Sequence, residues 1–347
     1  MNWAPIFLIL FILGNKDVDI SQGDLLFINE LDKMLRVFIF FKSILYIGTT
    51  CFFSLDIILW QICRINKSCF LFCISYELHY LCKNFYILKM KKYILDLQVV
   101  SVEALSDKHV LIKLTDSKPL PEMLPGQFVE VRVDHSQDTF LRSPISIHFV
   151  DREHNQLWLL VASIGEGTRQ LSKLQEGDKL NCVLPLGNGF TMPTSKSQKI
   201  LLVGGGVGVA PLLYFGKLIR DYGAEPVFLL GARSASDLLE VDLFRKYGRV
   251  YITTEDASAG EKGFVTDHSI LRQEKFDQIS TCGPKPMMVS VARYAHSENI
   301  NCEASLENMM ACGLGACLCC VEKTTKGNLC VCKEGPVFNI NQLSWQI

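Results

Sequence analysis

Near its C-terminal end the chain reads Cys312-Gly-Leu-Gly-Ala-Cys317-Leu-Cys319-Cys320, and Cys332 follows after eleven further residues. If Cys312, Cys317, Cys320 and Cys332 are ligands, the spacing is C-x4-C-x2-C with one distant cysteine, which is typical of plant-type [2Fe–2S] clusters. Four thiolates must converge on two irons, so the backbone has to form a tight loop. The glycines and the alanine between the first two cysteines keep this loop free of bulk, and the glycines tolerate positive φ. The spacing therefore predicts an iron–sulfur cluster domain.

Two other uses of clustered cysteines fit this spacing less well. A zinc ribbon usually supplies its ligands as two short-spaced pairs, and the C-x4-C-x2-C triple departs from that arrangement. A disulfide scaffold is also disfavoured, because thiols packed this closely have poor bridging geometry. Cys319 and Cys330 lie off the spacing. We expect them to be small, buried or half-buried thiols without a ligand role.

The composition excludes several classes of function. The chain has 347 residues, enough for two or three domains, and its formal net charge of -1 implies no polyanionic partner. Basic clusters interleaved with aromatic residues, which are typical of nucleic-acid binding, are absent. Nine of the 14 cysteines follow residue 90, and five of those nine fall between Cys312 and Cys330. Such clustering indicates metal binding in a reducing compartment, so we expect a cytoplasmic protein.

Residues 1–89 differ in composition from the rest of the chain. They are rich in Phe, Ile, Leu, Tyr, Cys, Asn and Lys, with two apolar runs, Pro5–Gly14 and Val37–Trp60. The first run is shorter than the ~20 residues that a membrane span needs. The second carries Lys42 and Asp56, each costing about 2.5–3.5 kcal/mol near a helix centre. Because Met90 resembles a natural start, we expect residues 1–89 to be an upstream extension translated from a start codon placed too early; the alternative is a membrane anchor or a membrane-surface segment.

Beyond Tyr93 the sequence is built of short segments in which apolar and polar residues alternate, with turn residues between them. The turns Leu124-Pro-Gly126 and Gly177-Asp178 precede two of these segments. Several strands at this spacing predict a small antiparallel β-barrel over residues 90–193. The predicted strands cover residues 110–114, 127–133, 146–150, 157–161 and 180–184.

Three segments of this barrel resemble the flavin-binding domain of the ferredoxin–NADP reductase superfamily. They are Pro125-Gly-Gln-Phe128, Arg142-Ser-Pro-Ile-Ser146 and Gly165-Glu-Gly-Thr168. The third would open a helix against the FAD pyrophosphate, where free N–H groups bind anions. A serine and an arginine can hydrogen-bond the flavin ring and the phosphates, respectively. Close relatives would carry a second arginine where this chain has Ser143, which leaves the phosphate contact of Arg142 open.

A second module is predicted at residues 194–300. A buried strand at 199–203 leads into the turn Gly204-Gly-Gly-Val-Gly208 and then into a helix over 212–222. Glycines at such a turn let the backbone approach a pyrophosphate. Further strands at 227–230, 250–253 and 278–282 alternate with helical stretches, which predicts a doubly wound α/β sheet. The NAD contacts predicted in this turn are Gly204, Gly205, Gly206 and Gly208.

The segment Cys282-Gly-Pro-Lys-Pro-Met287 resembles the Cys-Gly-Pro-x-x-Met motif of the same superfamily, and it lies at the carboxyl end of a late strand. Cofactors bind at that end of such sheets. The resemblance implies a candidate catalytic role for Cys282 beside the nicotinamide and the flavin, with Gly283 and Pro284 as further NAD contacts. The alternative for Cys282 is a small core residue. No acid–base dyad or nucleophilic triad is visible, and direct hydride transfer between nicotinamide and flavin needs none.

The tail carries the most specific resemblance. Ser305-Leu-Glu-Asn-Met-Met-Ala-Cys-Gly313 and Val331-Cys-Lys-Glu-Gly-Pro-Val-Phe338 closely resemble the electron-transfer subunits of class 1B dihydroorotate dehydrogenases, and the resemblance covers about residues 91–347. It implies a cluster domain at 301–347 with Cys312, Cys317, Cys320 and Cys332 as ligands. The FAD contacts that it implies are Ser143, Pro144, Ile145, Ser146, Leu160, Val161, Ala162, Gly167 and Thr168.

This resemblance also implies an electron path and a partner. A separate catalytic subunit would oxidise dihydroorotate on its FMN, as a step of pyrimidine biosynthesis. Electrons would pass singly through the [2Fe–2S] cluster to FAD, and FAD would deliver a hydride to NAD+. The chain would then hold no dihydroorotate site of its own. The assembly would be a heterotetramer with two copies of each subunit.

Three alternatives stay open at this point. The small FAD and [2Fe–2S] subunit of an NADH-dependent ferredoxin:NADP oxidoreductase, or of a sulfide dehydrogenase, shares the architecture. It would carry Val-Asp-Gly-Pro where this chain has Cys332-Lys-Glu-Gly-Pro336. A membrane-tethered electron-transfer protein would use residues 1–89 as its anchor. A non-redox zinc-binding interaction module would lack visible absorption, because zinc is colourless.

Overall fold

A computed structural model describes residues 91–134 and 139–346 of the chain. The two hypotheses for residues 1–89 therefore concern a segment outside the described residues. Within the described ranges, no helix is long and apolar enough to cross a membrane.

A closed antiparallel barrel forms the first part of the described chain. Its strands are β1, Tyr93–Ser106; β2, His109–Thr115; β3, Phe128–Val131; β4, Ser143–Asp151; β5, Gln156–Ala162; and β6, Lys179–Leu186. Around the barrel they follow the order β1-β2-β5-β4-β3-β6. The short helix α1, Glu166–Leu171, follows β5. The predicted barrel is confirmed, and the five segments expected from the sequence fall on β2 to β6.

Alternation of side chains explains the closure of the barrel. Successive residues of a strand point to opposite faces, so every second side chain enters the core. On β4, Ile145 and Ile147 are buried inside, whereas Ser143 and Ser146 are half-buried. Burying such aliphatic side chains stabilises the fold by about 1.5–3 kcal/mol each. The other strands contribute to the same core, for example through Leu97, Val99, Ile112, Leu114, Val129, Val131, Leu157, Leu159, Leu180 and Leu184.

The second part of the chain is a seven-stranded sheet with helices packed on it. Its strands are β7, Lys199–Gly205; β8, Glu225–Ala232; β9, Arg249–Thr254; β10, Glu261–Lys262; β11, Gln278–Cys282; β12, Asn301–Ser305; and β15, Val337–Asn339. The helices are α2, Ala210–Tyr222; α3, Val241–Arg245; α4, Ile270–Gln273; and α5, Lys285–Ser297. The strand order is β10-β9-β8-β7-β11-β12-β15, and only the β12–β15 pair is antiparallel. The doubly wound α/β sheet is therefore confirmed.

The order of the sheet reverses between β7 and β11. From β7 the chain adds β8, β9 and β10 on one side, and β11 and β12 lie on the other. Ligands of such sheets bind outside the carboxyl ends of the strands at this switch point. Cys282 pairs in register with Gly204, so the two glycine-containing turns predicted to bind NAD meet there.

The cysteine-rich segment lies in the chain between β12 and the edge strand β15. After β12 the chain forms an irregular loop through residues 306–320 and a two-stranded hairpin of β13, Val321–Thr324, and β14, Gly327–Cys330. The short helix α6, Val331–Glu334, follows, and the chain then returns to the sheet as β15. The residues predicted to form a cluster domain at 301–347 thus start and end against the sheet.

The barrel and the sheet pack against each other through α2 and β4. The ring of Phe149 in β4 makes an edge contact with Tyr214 of α2, with centroids 5.9 Å apart. Phe190, in the connection after β6, stacks on Phe215 of α2 with centroids 4.8 Å apart. The hydroxyl of Tyr214 donates to the carbonyl of Met123, 3.5 Å away. These contacts join the two parts in one apolar core.

Candidate cofactor sites

The structure brings the four predicted cluster ligands into one loop region. Cys320 and Cys332 are buried, Cys312 is half-buried and Cys317 is exposed. Backbone N–H groups point at three of the four sulfurs. Leu314 N and Ala316 N each lie 3.4 Å from Cys312 Sγ. Gly315 N lies 3.0 Å from Cys332 Sγ, and Cys332 N lies 3.3 Å from Cys320 Sγ. Such donors stabilise thiolates, which are the ligand form of cysteine.

Two glycines let the loop fold this tightly. Gly313 has φ +64° and Gly315 has φ +81°, a region that side chains rarely adopt. A Cβ atom on Gly313 would lie 2.7 Å from Glu130 Cγ and 2.9 Å from Leu186 Cδ1. A Cβ atom on Gly315 would lie 2.8 Å from Lys333 Cδ. The loop is therefore packed directly on the barrel strand β3 and on α6.

Contacts within the loop shift the pKa of two of the predicted ligands in opposite directions. The Cys317 thiol and three backbone groups, foremost Leu314 N–H, hydrogen-bond the Cys312 sulfur and lower its pKa to about 6. Burial, together with the adjacent Cys320 thiol, raises the pKa of Cys332 to about 12. The described residues contain no group of three or more His, Cys, Asp or Glu side chains around a single ion position.

The two cysteines outside the predicted ligand spacing, Cys319 and Cys330, differ in their burial. Cys330 is half-buried, as expected, and its Sγ lies 3.9 Å from the carbonyl oxygen of Gly315. Cys319 is exposed, so the expectation of a buried or half-buried thiol is wrong for this residue. The preceding Leu318 has φ +59°, and this turn directs Cys319 outward while Cys320 points inward.

A buried carboxylate that the sequence analysis missed lies beside the cluster loop. Glu130 of β3 is fully buried, and neither of its oxygens has a hydrogen-bond partner among the described residues. Burial raises its pKa to about 7, against the opposing effect of Arg142. Glu130 faces Gly313 and is paired in register with Pro144 of β4. The one signal in the sequence is a single acidic residue inside the apolar strand Phe128-Val-Glu-Val131.

The residues predicted to contact FAD lie on β4, β5 and α1. Gly167 of α1 approaches β4 so closely that a Cβ atom would lie 3.2 Å from Ser143 Oγ. The Thr168 hydroxyl accepts hydrogen bonds from Ile164 N and Gly165 N at 3.1 Å and so shapes the turn before α1. The other predicted contacts on β4 are Pro144, Ile145 and Ser146. Those on β5 are Leu160 and Val161, which are both buried, and Ala162, which is half-buried.

Arg142 does not point toward α1. Its guanidinium donates to the carbonyl of Asn181 at 3.1 Å, to Asn181 Oδ1 at 2.5 Å and to the carbonyl of Glu130 at 3.3 Å. These partners belong to β6 and β3, so Arg142 ties strands of the barrel together. At the turn before α1 the chain instead presents the hydroxyl of Ser143.

The glycines of the predicted NAD turn have different environments. A Cβ atom on Gly204 would lie 2.9 Å from Leu212 Cδ1, and one on Gly205 would lie 2.6 Å from Met287 Sδ. A Cβ atom on Gly208 would overlap the backbone of Gly283. Gly206 has φ +56° and nothing within 4 Å of its Cβ position. Three of the glycines are therefore required by packing, and Gly206 is the one that faces open space.

Cys282 lies at the switch point and is completely buried. Its Sγ lies 3.9 Å from Glu307 Oε1, a contact that the sequence analysis did not anticipate. Burial raises the pKa of Cys282 well above its usual value and also raises that of the Glu307 carboxyl. The thiol therefore stays protonated at neutral pH. Gly283 next to it is buried and Pro284 is exposed at the start of α5.

Comparison with known proteins places these sites in a family. Residues 307–344 match the iron–sulfur cluster binding domain of dihydroorotate dehydrogenase B. The electron transfer subunit of dihydroorotate dehydrogenase B (NAD(+)) from Shouchella clausii is 39% identical over 225 residues, covering 63% of this chain and 86% of that protein. The corresponding Listeria monocytogenes subunit is 38% identical over 252 residues, covering 72% of this chain and 98% of that protein.

The chain belongs to the family of dihydroorotate dehydrogenase B (NAD(+)) electron transfer subunits. The resemblance found in the sequence is thereby confirmed. A solved structure of an NADH-dependent reduced ferredoxin-NADP oxidoreductase also superimposes, with a TM-score of 0.66 and 29% identity over 72% of this chain and 90% of that chain. Its identity is lower than the 38–39% of these members of the dihydroorotate dehydrogenase B family. The iron–sulfur domain match also argues against the zinc-binding interaction module.

Proposed function

We propose that this chain is the electron transfer subunit of an NAD+-dependent dihydroorotate dehydrogenase. It would receive electrons from dihydroorotate that a separate catalytic subunit oxidises, and deliver them to NAD+ in pyrimidine biosynthesis. The observation that carries this proposal is the packing of the cysteine loop on the outer face of the barrel. Gly313 of that loop lies against Glu130, which is paired in register with Pro144 of the predicted flavin-binding strand.

The predicted ligands fit a [2Fe–2S] cluster, and the chain's own groups prepare the loop for it. When bound, the cluster supplies one-electron transfer, and FAD couples it to two-electron hydride transfer with NAD+. Cys312, Cys317, Cys320 and Cys332 would hold this cluster. The N–H groups of Leu314, Gly315 and Ala316 donate to the sulfurs and favour negative charge in the loop.

The flavin would lie across β4 and the turn before α1. Ser143 and Ser146 are half-buried on opposite faces of β4, and each offers a hydroxyl group to the cofactor. Gly167, which has no side chain, would let the pyrophosphate approach the backbone there. Since Arg142 is held by Asn181, this chain would bind the pyrophosphate with neutral donors.

The nicotinamide cofactor would lie at the switch point between β7 and β11. Gly206 faces open space there and would let a pyrophosphate approach the turn. The thiol of Cys282 stays protonated and would pack against the reacting rings as a small neutral group, excluding water. Hydride transfer needs positioning more than acid–base catalysis, and the turns at the switch point would supply that positioning.

The partner would be an FMN-containing catalytic subunit, two copies of each chain forming a heterotetramer. Electron transfer by single steps needs the two redox centres to approach closely, so the cluster loop should lie at the interface. Three large apolar side chains around that loop are exposed: Met309 at 83%, Leu314 at 47% and Leu318 at 64%. Exposed apolar patches of this kind mark protein–protein interfaces.

A reducing, cytoplasmic location is consistent with the cysteines. All nine cysteines within the described part of the chain are free thiols. Disulfides are rare in the cytoplasm, where thiols stay reduced and available to metal.

Reconstitution of the complex tests the proposed function. The chain is purified alone and together with the FMN-containing catalytic subunit, and reduction of NAD+ by dihydroorotate is followed by the absorbance of NADH. We expect NADH-dependent reduction of an artificial dye by the chain alone, and dihydroorotate-dependent reduction of NAD+ only with the partner. If NADH instead drove reduction of NADP+ with ferredoxin and the partner gave no dihydroorotate activity, the chain would belong functionally with the ferredoxin-NADP oxidoreductases.

A further inference from the structure

A histidine lies completely buried where the barrel meets the sheet. His148 of β4 has no exposed surface, and its Nδ1 lies 2.9 Å from the carbonyl oxygen of Ala210. A carbonyl oxygen only accepts hydrogen bonds, so Nδ1 carries the proton of this contact. Ala210 is the first residue of α2 and follows directly on the glycine turn predicted to bind NAD. His148 itself stands two residues after Ser146, a predicted flavin contact.

The other ring nitrogen of His148 faces a buried carboxylate. Its Nε2 lies 2.8 Å from Glu240 Oε2, and the Glu240 side chain is only 8% exposed. The direction of approach departs from ideal hydrogen-bond geometry, and neither atom has another hydrogen-bond partner within the described residues. For this contact to be attractive, one proton must lie between Nε2 of His148 and Oε2 of Glu240. This holds for an imidazolium facing a carboxylate and for a neutral imidazole facing a carboxylic acid. The ring of His148 thus meets the carbonyl of Ala210 through Nδ1 and the carboxylate of Glu240 through Nε2.

Glu240 reaches this position through an unusual backbone conformation. It has φ +49° and ψ +32°, the left-handed region that residues with a side chain rarely adopt. It stands immediately before α3, in the sheet part of the molecule. Backbone strain of this kind persists where the surrounding structure requires a particular side-chain position. Here the conformation directs the carboxylate across to the barrel.

The contacts that flank this pair are aromatic, and hydrogen bonds from Thr191 to Glu303 and from Tyr214 to Met123 join the two parts elsewhere. Phe149 packs on Tyr214 and on Tyr247, with ring centroids 5.9 and 5.8 Å apart. Apolar contacts hold surfaces together but are non-directional, so they tolerate small sliding movements. A buried polar pair is satisfied in one arrangement only, and such pairs can fix the register of packed elements.

We propose that His148 and Glu240 are positioning residues that fix the sheet, with its nicotinamide, in the orientation needed for hydride transfer to or from the flavin on the barrel. This inference rests on the proposed function. The pair touches neither reacting ring. It acts through β4, which carries predicted flavin contacts, and through the start of α2, which follows directly on the glycine turn predicted to bind NAD. A misplacement of about 1 Å between reacting groups lowers a rate by as much as 100-fold, so a small loss of register is enough to be measured.

Three variants of the full chain, loaded with FAD and cluster, test the proposal. Glu240→Gly removes the carboxylate and keeps the backbone conformation, since glycine adopts positive φ freely. His148→Leu removes the imidazole and leaves the carboxylate unpaired. Glu240→Gln is the conservative variant, because its amide can still donate to Nε2. Asn299→Gly is the matched control, since Asn299 has φ +55° and lies exposed beyond the end of α5.

The measurements are the rate of flavin reduction at saturating NADH, the KM for NADH, and the charge-transfer absorbance of the stacked flavin and nicotinamide. We expect Glu240→Gly and His148→Leu to lower the rate about 10- to 100-fold with a weakened charge-transfer band and little change in KM. Glu240→Gln should recover most of the rate, and Asn299→Gly should match the unmodified chain. Should His148→Leu fail to fold, Glu240→Gly carries the test, because it leaves only a neutral ring nitrogen without a partner.

Variants that hold FAD and cluster normally but reduce flavin at the unmodified rate would overturn the inference. So would a loss confined to KM, because the pair would then affect binding and not orientation. A failure of the proposed function is distinguishable from both. It would appear in the unmodified chain as an absence of FAD reduction by NADH, whereas the present inference depends only on the comparison of variants.

Discussion

Replacing Gly313 by alanine should release the cluster loop from the barrel. Gly313 has φ +64°, and a Cβ atom there would lie 2.7 Å from Glu130 Cγ and 2.9 Å from Leu186 Cδ1. Both distances are below those that real Cβ atoms show, so something must move. Leu186 is fully buried at the end of β6 and Glu130 is fully buried on β3, so neither side chain can yield without disturbing the barrel. The loop is the part that moves.

The cost has two components. The left-handed conformation costs a residue with a Cβ about 1–2 kcal/mol. Forcing an extra carbon into a packed site costs typically about 1–3 kcal/mol more. Gly313→Ala should therefore lower the free energy of unfolding by about 2–5 kcal/mol, or shift the loop and lose the cluster instead. Either response reduces the amount of cluster that the chain retains.

Gly206→Ala supplies the matched control for backbone strain. Gly206 has a similar φ of +56° but nothing within 4 Å of its Cβ position. It should cost only about 1–2 kcal/mol and leave cluster content unchanged. The assays are denaturant unfolding and the visible absorbance of the cluster relative to FAD for both variants. Equal stability and equal cluster content in Gly313→Ala and Gly206→Ala would show that the cluster loop is not packed on β3 at Gly313.

The remaining predictions concern the ligands, the flavin site and a buried acid. Cys320→Ser should abolish the iron–sulfur absorbance and leave FAD bound, while Cys319→Ser should preserve both, because Cys320 is buried beside Cys332 and Cys319 is exposed; the opposite pattern would refute the ligand assignment. Ser143→Arg should tighten FAD binding about tenfold or more, since a hydrogen bond to a charged group is worth about 1.5–3 kcal/mol. Arg142→Gln should lower stability without changing FAD affinity, because the partners of Arg142 are in the barrel. Fluorescence titration with FAD measures the affinity of both variants. A loss of FAD affinity in Arg142→Gln would contradict the observed direction of the Arg142 side chain. Glu130→Gln should be more stable than the unmodified chain above pH 7 and equal to it near pH 4. The reason is that burial raises the pKa of Glu130 from 4.5 to about 7, so the unmodified fold loses stability as the pH rises through that window; denaturant unfolding at the two pH values measures the difference, and equal stabilities at high pH would refute it.

The features that could be predicted from the sequence are those that follow from local sequence patterns. Alternation of apolar residues predicted the barrel strands, and the run Lys199–Gly205 ending in glycines predicted β7 and its turn. Cysteine spacing predicted a cluster loop, because ligand geometry requires a short separation in sequence. In each case the neighbours that determine the structure are neighbours along the chain.

The features that could not be predicted depend on contacts between distant segments. Glu130 meets Gly313 only after the cluster loop has packed on the barrel, and Cys282 meets Glu307 only after β11 and β12 have paired. The direction of Arg142 depends on Asn181, which is 39 positions later. Nothing in the strand pattern of β4 indicates that His148 faces a carboxylate from another part of the fold. Local periodicity tells which face of a strand is buried, but not which partner covers that face.

The electron path through this chain is tested most directly by one pair of rates on a variant that lacks the cluster but holds FAD. Cys320→Ser is assembled with the FMN-containing catalytic subunit, and the transfer of electrons from dihydroorotate to NAD+ is compared with the reduction of an artificial dye by NADH. We predict that the first rate is lost and that the second remains close to that of the unmodified chain. Undiminished transfer from dihydroorotate to NAD+ without the cluster would contradict the proposed path.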